Sequence, residues 1–258
     1  MFKRTPTAVA VALALSSSAA LADGFYVSGT LSYNNMDDTI NDGVFTQEFI
    51  TGPGTTIPAG VALPAGTDVR WKTDVDSGAG VNLALGWRAG QMRFEAEYAY
   101  ASHDVDRHYG VSAAGIALGD EDAGVLVSGA PGNLGISVAD LVNDGRGDFT
   151  ADYLFFNAFY DFDAGWALNP YLGAGIGNAW VDVDYSPSNV SIIDDDDSVL
   201  AYQLMAGLNY QCNDQLEYFG GLRWRQTEDL EISSNLLPAN FEIENESWMA
   251  EVGVRWSF

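Results

Sequence analysis

His103, Asp104, Asp106 and His108 are the one place in this 258-residue chain where imidazoles and carboxylates crowd together. A His–carboxylate pair can act as a general base, and the same groups bind metals. Alternation along an extended segment sends His103 and Asp104 to opposite faces, however, and no motif sets a serine nucleophile beside them. The cluster therefore reads as the polar rim of a loop, with no catalytic residue, metal site or cofactor expected. Asp194 to Asp197 offer the hard oxygens that suit Ca²⁺, but the run lacks the glycine and spaced ligands of a dedicated loop. Diffuse, weak cation attraction is the reading there. Arg146-Gly147-Asp148 matches the integrin-ligand tripeptide, which at three residues carries too little information to set against chance. Cys212 is the single cysteine and has no internal partner, so it reads as an incidental thiol in a turn.

A second set of charges is placed far more regularly. Arg88, Arg93, Arg223, Arg225 and Arg255, with Glu95, Glu97, Asp161, Glu217 and Glu251, all fall on the polar parity of alternating segments. The last segment shows the pattern best. Trp248, Ala250, Val252, Val254, Trp256 and Phe258 share one parity, and Ser247, Met249, Glu251, Gly253, Arg255 and Ser257 the other. A period of two is the repeat of a strand, and about 11 residues suffice for a tilted strand to cross a bilayer core.

Seven further segments repeat the pattern: Gly24 to Asn34, Gly78 to Arg88, Met92 to about His103, about Thr150 to Phe162, Pro170 to about Val183, Ser198 to Tyr210, and Gln215 to Gln226. No charge sits on the apolar parity within any strand core, as expected where Arg or Lys at a bilayer midplane costs about 2–4 kcal/mol. An even count of strands suits closure without an edge in lipid. The expected fold is all-β, an eight-stranded antiparallel up-and-down transmembrane barrel.

Connections after the second, fourth and sixth strands are short and the others long, which predicts short periplasmic turns, four long extracellular loops and both ends in the periplasm. Phe25, Trp87, Tyr160, Trp166, Tyr210, Trp256 and Phe258 gather at the periplasmic ends. Tyr33, Tyr98, Tyr100, Trp180, Tyr202, Trp224 and Trp248 gather at the outer ends, giving two interfacial girdles. Lys3 and Arg4, an apolar run and Ala20-Leu21-Ala22 predict a signal peptide over residues 1–22, with the barrel domain over 23–258. The net charge of −25 resides mainly in the loops and excludes nucleic acid as a partner. Ser137-Val138-Ala139-Asp140 is suited to capping a short helix in the second loop.

The inward charges nearly balance, so a lumen ion-pair network is expected: Arg88, Arg93 and Arg255 with Asp161 and Glu217 near the periplasmic end, and Arg223 and Arg225 farther up with Glu95 and Glu97. Phe155 and Phe159 point inward beside Gly173, Gly175 and Gly177 of the next strand, and aromatic rings are expected to fill the space over those glycines. Eight strands enclose a bore only wide enough for side chains, so a plugged lumen with at most rare, small conductance is predicted.

Pro170-Tyr171-Leu172-Gly173-Ala174-Gly175-Ile176-Gly177, Arg93-Phe94-Glu95-Ala96-Glu97-Tyr98, Asn157-Ala158-Phe159-Tyr160-Asp161-Phe162, Ala201-Tyr202-Gln203 and the pair Gly221-Leu222-Arg223-Trp224 and Gly253-Val254-Arg255-Trp256 together resemble the OmpA-like or opacity-protein surface-antigen family of small outer-membrane β-barrels. The resemblance covers the strands and not the loops. It implies that Val254, Trp256 and Phe258 form a signal read by the barrel-assembly machinery. It implies no wall anchor, since no peptidoglycan-binding segment is apparent. The expected role is structural and interactive, adhesin- or surface-antigen-like. A narrow porin-like channel is the alternative and a lipid-modifying barrel enzyme a more distant one. Expected partners are outer-membrane lipid and lipopolysaccharide, the assembly machinery and an extracellular ligand whose identity the loops hold, with the barrel itself a monomer.

Overall fold

Side chains of alternating character settle most readily into paired strands, and this chain forms little else. The computed structural model describes residues 24–258 apart from Trp166. The expected signal peptide and the Trp166 member of the inner girdle lie outside the described residues.

In chain order, β1 (Phe25–Met36) leads to four strands of the first outer stretch, β2 (Thr39–Phe45), β3 (Phe49–Ile50), β4 (Ala62–Leu63) and β5 (Asp68–Val75). A tight hairpin joins β6 (Gly78–Ala89) to β7 (Met92–Ala113), and β8 (Ile116–Ala117) folds back on the tip of β7. Ser137 caps the five-residue helix α1 (Val138–Val142), its hydroxyl accepting from Asp140 N at 3.0 Å. There follow β9 (Gly147–Asp161), β10 (Leu168–Tyr185), β11 (Ile193–Gln211), β12 (Leu216–Thr227), β13 (Leu230–Ser233), β14 (Ala239–Ile243) and β15 (Glu246–Ser257).

β1, β6, β7, β9, β10, β11, β12 and β15 pair in that order, every pair antiparallel, and β15 returns to β1. The ring is closed, so no strand edge faces lipid. Leu31, Phe156 and Val252 on the outward parity are 66%, 67% and 65% exposed, a contiguous apolar belt that only a bilayer would cover. The protein is an eight-stranded transmembrane β-barrel.

The long outer stretches are not loose loops. β7, β10 and β11 run on past the ends their alternation predicts. Above the level where Asp104 faces Asp148, β7 leaves β9 and pairs with β5 instead. From β5 a second sheet continues through β2 and β14 to β13. β13 then lies against β11, where two carboxylates stand in for ladder bonds: Glu231 N donates to Asp197 Oδ2 and Ser233 N to Asp195 Oδ2, both at 2.9 Å. The barrel wall thus carries an upper storey, with α1 packed against β7 and Phe49 of β3 in the same core.

This cap has its own apolar core. Trp71 lies against Phe241 with ring centroids 4.3 Å apart, and Phe45 stacks on Phe49 at 5.3 Å. Leu230, Ile232, Ile243, Ile193 and Val183 are fully enclosed beside them. The face pattern inverts between storeys while the parity does not change. On β10 the inward positions run Gly173, Gly175, Gly177 within the membrane and then Val181, Val183, Tyr185 above it. The outward positions run Leu172, Ala174, Ile176 and then Asp182, Asp184. The switch occurs at Trp180, in the outer girdle.

Candidate functional site

Two regions concentrate chemistry: the charged lumen and the cap above it. In the lumen, strand alternation aims the charged side chains at the axis, and the ring's small diameter brings opposite walls within hydrogen-bonding reach. Near the inner end, Arg88 Nη2 lies 2.9 Å from Glu217 Oε2 and 3.5 Å from Asp161 Oδ2. Arg93 bridges Asp161 (2.8 Å, from Nε) and Glu95 (3.1 Å, from Nη1). Arg255 contacts Glu217 and lies 3.9 Å from Glu95. Tyr26 donates to Glu95 at 2.7 Å, and Asn209 Nδ2 donates to Asp161 Oδ1 at 3.0 Å.

Farther up, Arg223 grips Glu97 with two nitrogens, at 2.5 and 3.0 Å, and Glu251 with its Nε at 2.9 Å. Gln203 donates to Glu97 at 3.1 Å and to Asn157 Oδ1 at 2.8 Å. Five arginines and five carboxylates thus meet, but not wholly as expected. Glu95 belongs to the inner group with Arg93 and Arg255, and Arg225 has no carboxylate partner among the described residues. Arg225 instead donates to Gln203 Oε1 at 3.2 Å and lies over the Tyr153 ring at 4.1 Å. The reason is stagger: ring closure sets the height of each side chain, which local sequence does not reveal.

Phe155 and Phe159 face inward and are buried. Register sets Phe159 opposite Gly173, Asn157 opposite Gly175 and Phe155 opposite Gly177. A Cβ at Gly173 would collide with the Phe159 ring, and one at Gly175 with Asn157; at Gly177 it would meet the Leu154 carbonyl and the Phe155 ring. Only glycine lets these side chains lie flat on the wall. Arg93 in turn sits over Phe159, 4.3 Å from its centroid. The space left among Thr30, Asn82, Glu97, Tyr171 and Arg255 is about 10 Å³, enough for about one water. Val254, Trp256 and Phe258 point outward from the end of the last strand and are exposed.

In the cap, the His/Asp cluster comes apart. His103 is inward, its Nδ1 3.1 Å from the Asp76 carbonyl, and Asp104 and Asp106 are outward. His108 is inward past a bulge in β7, its Nδ1 2.8 Å from Thr73 Oγ1 and its ring edge-on to Tyr185 at 4.7 Å. Burial pushes the His108 imidazole down to about 4. Among the described residues no three His, Cys, Asp or Glu side chains converge on a point that would hold a metal. Arg146-Gly147-Asp148 is exposed at Arg146 but is not a free loop tip: Gly147 starts β9 under Tyr185, and Arg146 donates to Asn189 Oδ1 at 2.5 Å. Cys212 is exposed in the short turn after β11.

Many cap acids are structural. Glu121 accepts from Thr56 N at 2.8 Å and Ile57 N at 3.2 Å, and also from the Thr56 hydroxyl; these bonds hold its carboxyl below the usual range. Asp122 accepts from Gly124 N, Leu134 N and Gly135 N at 2.7–2.9 Å. Other acids form a cross-strand row on the outer wall, where Asp104, Asp148, Asp184 and Asp194 face one another across β7, β9, β10 and β11. Burial, then repulsion from Asp184 and Asp104, raises the Asp148 carboxyl. Sequence reasoning missed the cap core, although Val181-Asp182-Val183-Asp184-Tyr185, Leu230-Glu231-Ile232 and Phe241-Glu242-Ile243 carry the alternation that marks it.

No curated protein matches the chain in sequence. Solved structures with a similar course include Neisserial surface protein A (16% identity, 92% of this chain and 99% of that one, TM-score 0.48). OprG of Pseudomonas aeruginosa (14%, 92% and 98%, TM-score 0.43) and Ail, the attachment invasion locus protein of Yersinia pestis (10%, 90% and 99%, TM-score 0.40), are also similar. A family profile described as surface antigen matches residues 65–257, three quarters of the chain. The chain belongs to this surface antigen family of small outer-membrane β-barrels.

Proposed function

We propose that this barrel is a display platform: a closed, non-conducting support that holds a rigid, acidic cap outside the cell for contact with an extracellular partner, in the manner of an adhesin. One observation carries the reading. The outer stretches have a packed core of their own, with Trp71, Phe241, Ile243 and Val183 enclosed, above a lumen crossed by ion pairs and holding a cavity of about 10 Å³ among Thr30, Glu97 and Arg255. A conducting pore has no use for that construction, and a floppy loop set would not need it. The orientation that goes with this reading puts both chain ends in the periplasm and the cap outside. The protein works as a monomer in lipopolysaccharide-containing lipid, and Val254, Trp256 and Phe258 serve the assembly machinery. The reading assigns no catalytic role to His103 or His108, each of which is buried with its Nδ1 on a structural contact.

The test has two arms. Purified protein in planar bilayers should give no steady conductance at neutral pH; a stable open level would favour the narrow-channel alternative. Cells displaying the protein should bind immobilised basic polypeptides more than cells lacking it, and charge-neutral substitutions on outward cap positions such as Asp182 and Asp196 should reduce that binding. Equal binding by both cell types would remove the adhesive role.

A further inference from the structure

We propose that the cap contains a binding site for one small, uncharged, mostly apolar molecule, about the size of a fused two-ring aromatic or a short hydrocarbon chain. The site is a cavity of about 260 Å³ between the 51–63 stretch and the β7–β8 tip, walled by Phe45, Ile57, Leu63, Leu118, Val125 and Leu126. A cavity of roughly 150 Å³ lined by aliphatic and aromatic side chains already stays dry and takes up benzene. This one is larger, and its lining is almost wholly carbon.

The few polar groups on its wall are already engaged. Thr51 Oγ1 donates to the Pro58 carbonyl and accepts from Val61 N, both at 3.1 Å. The Thr56 hydroxyl is bound to Glu121. Neither threonine hydroxyl has a donor left to anchor an anionic ligand, and the chain's strong negative charge opposes anionic amphiphiles. The same bonds fix the 51–63 wall in place, so the pocket is pre-formed rather than made by closure. Its rim is apolar and faces water: Ile116 is 58% and Val61 38% exposed.

The cavity ends within the cap. Val69, Leu126 and Leu237 separate it from a smaller cavity of about 30 Å³ beside His108 and Tyr185. Below these, Tyr153 and Phe155 stack at 5.6 Å with Arg225 over them, closing the way to the lumen. The geometry is one of capture, not passage. It does not depend on what the outward cap surface contacts, so it stands or falls separately from the display reading.

The test is methyl NMR on the folded protein in lipid nanodiscs, with naphthalene as the probe. Saturable shifts at the Leu118, Val125 and Leu126 methyls are expected, at one site per protein. Ala113→Phe, which fills the cavity from β7, should weaken binding at least tenfold. Ile57→Ala, which enlarges it, should retain naphthalene and admit a three-ring aromatic. A second arm looks for contacts between lipid chain protons and the Leu118 methyl before probe is added. Their presence would assign the same site to an acyl chain, and their absence with naphthalene saturation to a free hydrocarbon. Naphthalene shifts confined to lipid-facing methyls such as Leu83 and Val252, or equal binding by an Ala113→Phe protein whose cap spectrum is intact, would overturn the proposal.

Discussion

Replacing Arg223 with Met would leave two carboxylates stranded inside the barrel. Arg223 is 3% exposed at its side chain, and Glu97 and Glu251 are 3% and 2%. Without the guanidinium, Glu97 keeps a bond from Gln203 and Glu251 a 3.4 Å contact with the Tyr171 hydroxyl, neither of which neutralises charge. Removing one partner of a buried ion pair typically costs about 3–5 kcal/mol. Arg225, which has no carboxylate of its own and already shares Gln203, can turn toward Glu97, so the lower end, about 3 kcal/mol, is expected. Urea unfolding in lipid vesicles, followed by tryptophan fluorescence, reads this directly. The triple variant Arg223→Met, Glu97→Gln, Glu251→Gln should return to within about 1 kcal/mol of the parent, since neutral groups of similar shape need no counter-charge. A single variant as stable as the parent at pH 7, or a triple variant no better than the single, would refute the idea that the lumen is held by paired charge.

Phe155→Ala with Phe159→Ala should lower stability by more than about 3 kcal/mol in the same assay, by emptying packed volume over Gly173 and Gly177. His108 has a folded-state pKa of about 4, below the ordinary value near 6.5, because burial disfavours its charge; Asp144 offsets this only in part. Its contribution to cap stability is therefore complete above about pH 6.5 and lost as pH falls toward 4. Amide exchange in β5 and the outer half of β7 should accelerate over that window, and His108→Phe should flatten the dependence. Cysteines at Ser128 and Ser191 should react with an impermeant thiol reagent on intact cells and one at Ala164 should not; the reverse pattern would invert the assigned orientation. Deleting Phe258 should reduce the heat-modifiable, folded fraction in the outer membrane.

The barrel was legible because lipid imposes a rule on every strand at once: Arg93, Glu95 and Glu97 cannot share a parity with Phe94, Ala96 and Tyr98. The pairing of those charges was not. Arg223 and Glu97 are 126 residues apart and meet only because the ring closes, while Glu95, two residues from Glu97, sinks to a different partner group. The cap was hidden for another reason. Its strands are short, broken by Gly and Pro, and their apolar side is the one that is polar in the membrane. The sequence places this strand's end at about Val183, close to the observed Tyr185, but the exchange of faces at Trp180 hides that its outer part belongs to a second core.

That inversion bears on how such a protein can change over generations. In the cap, inward residues such as Val183, Ile232 and Phe241 are locked by packing, while their neighbours Asp182, Glu231 and Glu242 are exposed. A lineage under pressure from antibodies can rewrite the exposed positions freely, one residue in two, and keep the fold. Drift should therefore appear along β10, β13 and β14 as a comb: altered teeth at every second position, with the residues between them unchanged.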